Sequence, residues 1–228
     1  MAGWSAIVPV TTQATEGPFY VVGSMLLLAG EVNSIKVANQ VTSYVLKITT
    51  AKVKVICSIL TLKANATIYG STGAHPGTGK EIMEYEGCEG GGVGEGLANC
   101  MPQSGKFSTA ALSSTLGYAS ASRSAPVLTL YKPEAGSTLA TIKFTGTECV
   151  ASSTTVTGTI VGKVSPEGHT TGKVTISFAE SQPTIFTEDG GSLKSVKPSI
   201  KAFGNAATFT GETQFGLAAL MIGWGVFL

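Results

Sequence analysis

One arginine, one aspartate, two histidines and two tryptophans are all that this chain of 228 residues contains of those types. Each scarcity removes a class of function. With Arg123 alone and a net charge of +1, no cluster of cations is available to neutralise phosphates, which argues against nucleic acid as a partner. Anionic membrane surfaces are disfavoured for the same reason. A Ser-His-Asp triad would have to use Asp189 with His75 or His169, and no G-x-S-x-G elbow is present. Both histidines sit in turn-like sequence, Gly73-Ala-His-Pro-Gly77 and Glu167-Gly-His-Thr-Thr171, which suits solvent exposure better than catalysis. Aromatic residues make up 7% of the chain, and Trp4 and Trp224 lie at its two ends. No exposed aromatic platform for a sugar is legible, and the tryptophans are expected in the core or at an interface. The uncharged tail Phe215–Leu228 is shorter than the roughly 20 residues of a spanning helix.

Charged residues are only 13% of the chain, while Gly stands at 29 and Thr and Ser crowd the extended runs. That balance fits an all-β protein whose solvent faces carry hydroxyls instead of ions. The plainest stretch is Val127–Phe178. Val156, Gly158, Ile160, Gly162 and Val164 share one face of an extended segment, with Thr155, Thr157, Thr159 and Lys163 on the other. After Ser165-Pro166-Glu167-Gly168, Val174, Ile176 and Phe178 alternate with Lys173, Thr175 and Ser177. A period of two broken by a Pro/Gly turn is a hairpin with one buried face. Leu128 and Leu130, and Ala140, Ile142 and Phe144, alternate likewise, giving four consecutive strands.

Upstream, Ala6–Thr12, Phe19–Leu28, Val41–Thr49, Val53–Cys57 and Asn65–Tyr69 read as strands. The apolar face shifts from Cys57 to Leu60, so a bulge is expected near Ser58-Ile59. Gly87–Gly96, almost wholly glycine and glutamate, reads as a mobile loop, and Lys106–Tyr118 has weak helical spacing. The short echoes Phe144-Thr-Gly-Thr, Val156-Thr-Gly-Thr and Phe209-Thr-Gly-Glu place a glycine within or beside a strand, the mark of a bulge or a close backbone approach. Ala119–Pro126 is the one linker-like segment. It divides an N-terminal half, 1–118, from a C-terminal half, 127–228, unless the two are continuous. The fold class is therefore all-β: an antiparallel β-sandwich, or two packed β-subdomains, stapled by disulfides.

Cys57, Cys88, Cys100 and Cys149 lack C-x-x-C spacing and neighbouring histidines, which argues against structural zinc. Two disulfides formed in an oxidising compartment fit better, with Cys88–Cys100 and Cys57–Cys149 the favoured pairs among three connectivities. No secretory leader is read: Met1-Ala-Gly-Trp4 lacks a basic region and Met25-Leu-Leu-Leu-Ala29 is too short. The chain is thus expected to be the mature form.

Gly73-Ala-His-Pro-Gly-Thr-Gly-Lys80 looks like a phosphate-binding loop but has its first glycine misplaced, and Glu81 stands where Ser or Thr must meet magnesium. Glu81, Glu84, Glu86, Glu89 and Glu95 crowd into fifteen positions. Glu86, Glu89 and Glu95 are weak calcium candidates, set against a plain solvated acidic strand and loop. Asn65-Ala-Thr67 matches a glycosylation acceptor. No cofactor is implied.

Several motifs occur in a telling order: Phe19-Tyr-Val-Val-Gly23 with Leu28-Ala-Gly-Glu31, Val53-Lys-Val-Ile-Cys57 with Leu60-Thr-Leu-Lys63, and Tyr85-Glu-Gly-Cys88. Tyr131-Lys-Pro133 with Gly136, Ile142-Lys-Phe-Thr-Gly-Thr-Glu-Cys149 and Gly223-Trp-Gly-Val226 follow. From about residue 19 to the end, this order resembles uncharacterised secreted proteins of actinobacteria. The resemblance implies an exported, disulfide-bearing β protein with no activity attached.

The functional expectation is a non-enzymatic extracellular or cell-surface structural protein that self-assembles, as a filament subunit for example. A polysaccharide- or ligand-binding adhesion module is the alternative, and a hydrolytic enzyme using His75 or His169 the weakest. The apolar tail is expected either to close the chain's own sheet or to meet a neighbouring copy through Phe215, Leu217, Leu220, Ile222, Trp224 and Phe227.

Overall fold

The computed structural model describes residues 17–63, 66–71, 75–92, 100–218 and 223–228. The chain enters through a small hairpin, β1 (Phe19–Val22) and β2 (Met25–Leu26), which turns at Gly23. The 17-residue β3 (Val32–Ile48) follows, then β4 (Val53–Leu62), β5 (Thr67–Tyr69), β6 (Thr78–Glu81) and β7 (Met83–Gly92). β8 (Met101–Pro102), a 3-10 turn at Gln103–Gly105 and β9 (Phe107–Ser108) lead to β10 (Leu112–Tyr118) and β11 (Val127–Pro133). Next come β12 (Thr138–Thr145), β13 (Ser153–Ser165) and β14 (Val174–Phe178). The hairpin of β15 (Ile185–Asp189) and β16 (Ser192–Val196) precedes β17 (Ser199–Ala202), β18 (Asn205–Leu217) and β19 (Trp224–Phe227).

All paired strands are antiparallel, and the pairing closes on itself twice. The first ring runs β3–β5–β6–β10–β11–β13–β14–β18 and back to β3. The second runs β3–β4–β7–β9, crosses the Thr109–Ala140 bridge to β12, and returns through β13, β17 and β18. β3, β13 and β18 belong to both. Each gives one end to each ring: β18 pairs β17 through Asn205–Ala207 and β14 through Gly211–Phe215. The result is two β-barrels stacked end to end on three shared strands. At about 3.3 Å per residue, β3 alone can run to roughly 55 Å. The all-β, antiparallel, disulfide-bonded expectation holds. Its two-unit form describes the pairing, except that shared strands join the units.

The handover between rings bends the shared strands, and glycine makes the bend possible. A Cβ on Gly158 of β13, where φ is +112°, would lie 1.8 Å from the carbonyl oxygen of Ser199. One on Gly211 of β18 would strike the Tyr44 ring at 2.3 Å, beside the register shift between Thr210 and Glu212. Two of the three glycine echoes are therefore close-approach sites inside strands; the third, Gly146, lies past the end of β12. The face shift at Ser58-Ile59 is present too. β4 and β7 both change buried face there and keep their register, with Gly87 at φ +58° opposite Ser58.

One core runs through both barrels. At the junction the Tyr44 ring stacks on Phe209 at 5.6 Å and meets Tyr85 edge-on at 5.2 Å. Phe178 joins Phe209 to Tyr131 at 5.3 and 5.8 Å. The buried Tyr44 hydroxyl bonds to Thr213 Oγ1, which offsets the cost of burying both groups. A smaller cluster, Leu128, Leu130, Val161 and Ile185, lies on the outer side of β11 and β13. The β15–β16 hairpin covers it, which is why β11 is buried on both faces.

Several expectations are corrected. Ala119–Pro126 is the loop of the β10–β11 hairpin, whose strands pair in full from Leu112↔Pro133 to Tyr118↔Val127; it separates no domains. Lys106–Tyr118 forms β9 and β10 instead of a helix, because tertiary pairing on both sides overrides weak spacing. Gly87–Gly92 belongs to β7 and pairs with β4, while 93–99 lie outside the described residues. The disulfides are Cys57–Cys88 and Cys100–Cys149, not the favoured pairs. Cys57 and Cys88 stand directly opposite in the β4–β7 register with Cα atoms 3.9 Å apart. Cys100 packs its carbonyl so close to Gly90 that a Cβ there would overlap it at 1.4 Å. Ala6–Thr12 and the acceptor Asn65 lie outside the described residues.

Two measurements follow. A non-reducing peptide map is expected to link Cys57 to Cys88 and Cys100 to Cys149; a Cys57–Cys149 peptide would contradict this pairing. Arg123, in the β10–β11 loop, reaches Glu188 of β15 at 2.5 Å, where the glutamate side chain is fully buried. Arg123→Ala is expected to cost roughly 2 kcal/mol in chemical denaturation, below a fully buried pair because the guanidinium is partly exposed. Glu188→Gln in the same background should recover part of that loss.

Candidate functional site

The first barrel is closed at one end by a three-stranded cap in which β1 lies between β2 and β19. Alternation turns Tyr20, Val22, Trp224 and Val226 down onto the barrel core. Trp224 donates its indole N–H to the Phe215 carbonyl at 3.2 Å. The segment after β13 reaches across to hold the cap: Gly168 N–H donates to Val226 O, and Thr171 and Trp224 exchange two backbone bonds. This detour makes the β13–β14 connection longer than the four-residue turn expected from Ser165-Pro166-Glu167-Gly168.

Beneath the cap lies Glu81. In β6 the side chains alternate Thr78 half-buried, Gly79 in, Lys80 out, Glu81 in, so the acid points to the barrel interior and is only 5% exposed. Its Oε2 accepts from Ser114 Oγ at 3.4 Å, and its Oε1 has no partner among the protein groups. The two acid-side neighbours are seated by glycine. A Cβ on Gly79 would lie 2.4 Å from Ser114 Oγ, and one on Gly77 would lie 2.7 Å from the Tyr20 ring. Glu81, Ser114, Thr129, Tyr20 and Tyr131 line a void with room for a water molecule, among apolar walls that include Leu116, Phe215 and Trp224.

Burial pushes the Glu81 carboxyl up to about 8. The Ser114 hydrogen bond works against that rise, and the charge of Glu134 adds to it. Glu134 itself is held on the outer surface by Lys80 at 2.9 Å. The phenols of Tyr20, Tyr85 and Tyr131 are all raised, first by burial and then by charged neighbours that include Glu81. A carboxyl in such surroundings is kept neutral at pH 7 because ionising it alone in a poorly polarisable interior costs too much. A buried acid with an unpartnered oxygen, beside a void, is a candidate functional group.

The residues singled out from sequence are placed as follows. His75 and His169 are both exposed. His75 lies within electrostatic reach of Asp189, but that surface carboxylate is bonded by Lys194, which holds it below its usual range. Glu86 is half-buried and Glu89 exposed, Glu95 lies outside the described residues, and among those described no three His, Cys, Asp or Glu side chains group to hold a metal. As interface residues, Phe215, Leu217 and Trp224 are corrected: each is buried in the chain's own core, where β18 and β19 complete its sheets. Phe227 is half-buried against Phe19 at 6.0 Å, and Leu220 and Ile222 lie outside the described residues.

Glu81 was missed as a site because it sits in a run of glutamates that reads as solvated. The signal that could have found it is its phase with Met83 and Tyr85, both buried and on the same alternation. The phosphate-loop likeness dissolves into two glycine seats and this acid. No protein-family model, no curated protein and no solved structure matches the chain.

The raised carboxyl makes stability depend on pH. Because Glu81 holds its proton more tightly folded than unfolded, its contribution is full below about 4.5, where both states are protonated. It is lost as pH rises to about 8. The unfolding free energy from chemical denaturation is expected to fall across that window by an amount on the order of a few kcal/mol, and Glu81→Gln to flatten the slope. An unchanged profile in the variant would place the acid in contact with solvent.

Proposed function

We propose that this chain is a non-enzymatic extracellular structural protein that assembles with copies of itself at a cell surface or in a filament. The observation that carries the reading is the use of the barrel interiors. Among the described residues both are filled by their own side chains, and the voids beneath the cap and inside the second barrel each hold no more than a few water molecules. Ligand-carrying barrels keep a cavity of hundreds of cubic ångströms. A filled double barrel resists deformation instead, because closed rings leave few strand edges to fray.

The disulfides point the same way. They brace the second barrel and suit an oxidising compartment, in line with the resemblance to secreted actinobacterial proteins. No helix among the described residues is long and apolar enough to cross a membrane. For association, Met25, Leu28 and Val32 expose apolar side chains between the cap and the start of β3, and among the described residues β16 pairs on one side only. The polysaccharide alternative is weakened at Trp224, which is 2% exposed and so offers no stacking face.

Sedimentation velocity on the full chain and on one lacking residues 1–14 is the test. Concentration-dependent association is expected in the full chain, reduced in the shortened one. Identical monomers at all concentrations would remove the assembly reading. Deleting 215–228 is not a fair comparison, since those residues supply core side chains.

A further inference from the structure

The chamber beneath the cap has a composition that packing alone does not require. A buried glutamate costs stability where a leucine or glutamine would fill the same space, and Gly77 just before β6 and Gly79 within it leave room for Tyr20 and Ser114. The carboxyl with the unpartnered oxygen, Oε1, belongs to a residue that lines a water-sized void together with the hydroxyl-bearing Ser114, Thr129, Tyr20 and Tyr131. We propose that this chamber is a site for one small monovalent cation, held between Glu81 and the hydroxyls of Ser114, Thr129, Tyr20 and Tyr131. Glu81 is the sole source of full charge, and the hydroxyl oxygens supply neutral ligands.

The chemistry selects the class of ion. One carboxylate balances one positive charge, and among the described residues that line the chamber no other acid joins Glu81 to balance a divalent ion. The room available admits an ion the size of a water molecule, such as sodium, potassium or ammonium, and excludes bulky organic cations.

Binding is an exchange that conserves charge: the cation enters, the Glu81 O–H bond breaks, and the proton leaves to solvent. The charged and titratable groups around the acid are Glu134 across the β6 strand, paired with Lys80, and the phenols of Tyr20 on the cap, Tyr85 on β7 and Tyr131 on β11. The phenols stay protonated throughout, because burial raises all three. The proton given up is therefore that of Glu81.

Infrared spectroscopy of the full chain tests this, with the protonated carboxyl band of Glu81 assigned by its loss in Glu81→Gln. Spectra are taken against pH in sodium, potassium, ammonium or N-methylglucamine chloride at equal ionic strength. The expected result is a protonated band at pH 7 in N-methylglucamine. In at least one of the small cations its titration midpoint should fall by about one pH unit or more. Ser114→Ala should shrink that cation-dependent shift while leaving the band itself in place. The same midpoint in all four salts would show that the chamber takes water alone and overturn the proposal. So would an ionised Glu81 in N-methylglucamine at pH 7, or a shift of equal size in Ser114→Ala. The readout is independent of self-association, so failure here leaves the assembly reading standing, and the reverse.

Discussion

Closing a sheet into a ring gives every strand a hydrogen-bonding partner on both sides, and this chain does so twice with three strands in common. That sharing is the constraint from which the rest follows. β3, β13 and β18 must each be long enough for two barrels and must turn at the junction without losing their bonds. A strand carrying side chains throughout would clash there, because the neighbouring backbone or ring passes within contact distance of the bend. Gly158 and Gly211 remove the Cβ at those points. The aromatic group around Tyr44, Phe209, Phe178 and Tyr85 then fills the junction that the bend creates. Backbone pairing and ring packing thereby hold the two barrels as one body.

The cap and the outlying hairpin solve the remaining exposure. A barrel end is open by construction, and β1 with β19 covers the first barrel by pairing residues from the two ends of the described chain. Folding of the cap therefore depends on nearly the whole sequence being in place. The β15–β16 hairpin does for the outer side of β11 and β13 what the cap does for the end, and the Arg123–Glu188 pair fastens it to the β10–β11 loop. Both additions convert exposed apolar surface into core.

Against this economy of packing, Glu81 stands out. The interior gives its carboxyl one weak partner and leaves the other oxygen free, at a cost that a hydrophobic replacement would avoid. Groups kept at such cost are usually tied to a task. The neighbouring glycines belong to the same arrangement, since Gly79 makes room for Ser114 and Gly77 for Tyr20. A structural role for the whole and an ion-sized chamber within one barrel are compatible, because the chamber is a water-sized space beneath the cap and the core around it is packed.

Alternation alone determined that this chain is all-β and which faces of β12 to β14 are buried, since Val156, Ile160 and Val164, or Ile142 and Phe144, can share one side only in an extended backbone; β11, buried on both faces, escaped it. Hydroxyl-rich faces and paired cysteines followed from composition in the same direct way. Only the tertiary structure decided which cysteines meet, that Ala119–Pro126 is a hairpin loop, and that Phe215 and Trp224 serve the chain's own core. Each of those depends on which strand lies next to which, a long-range choice that a period of two leaves open. Glu81 shows the division within one residue. Its phase with Met83 and Tyr85 was written in the sequence, but whether that phase faced water or a closed barrel depended on partners, Ser114 and Tyr20, distant along the chain.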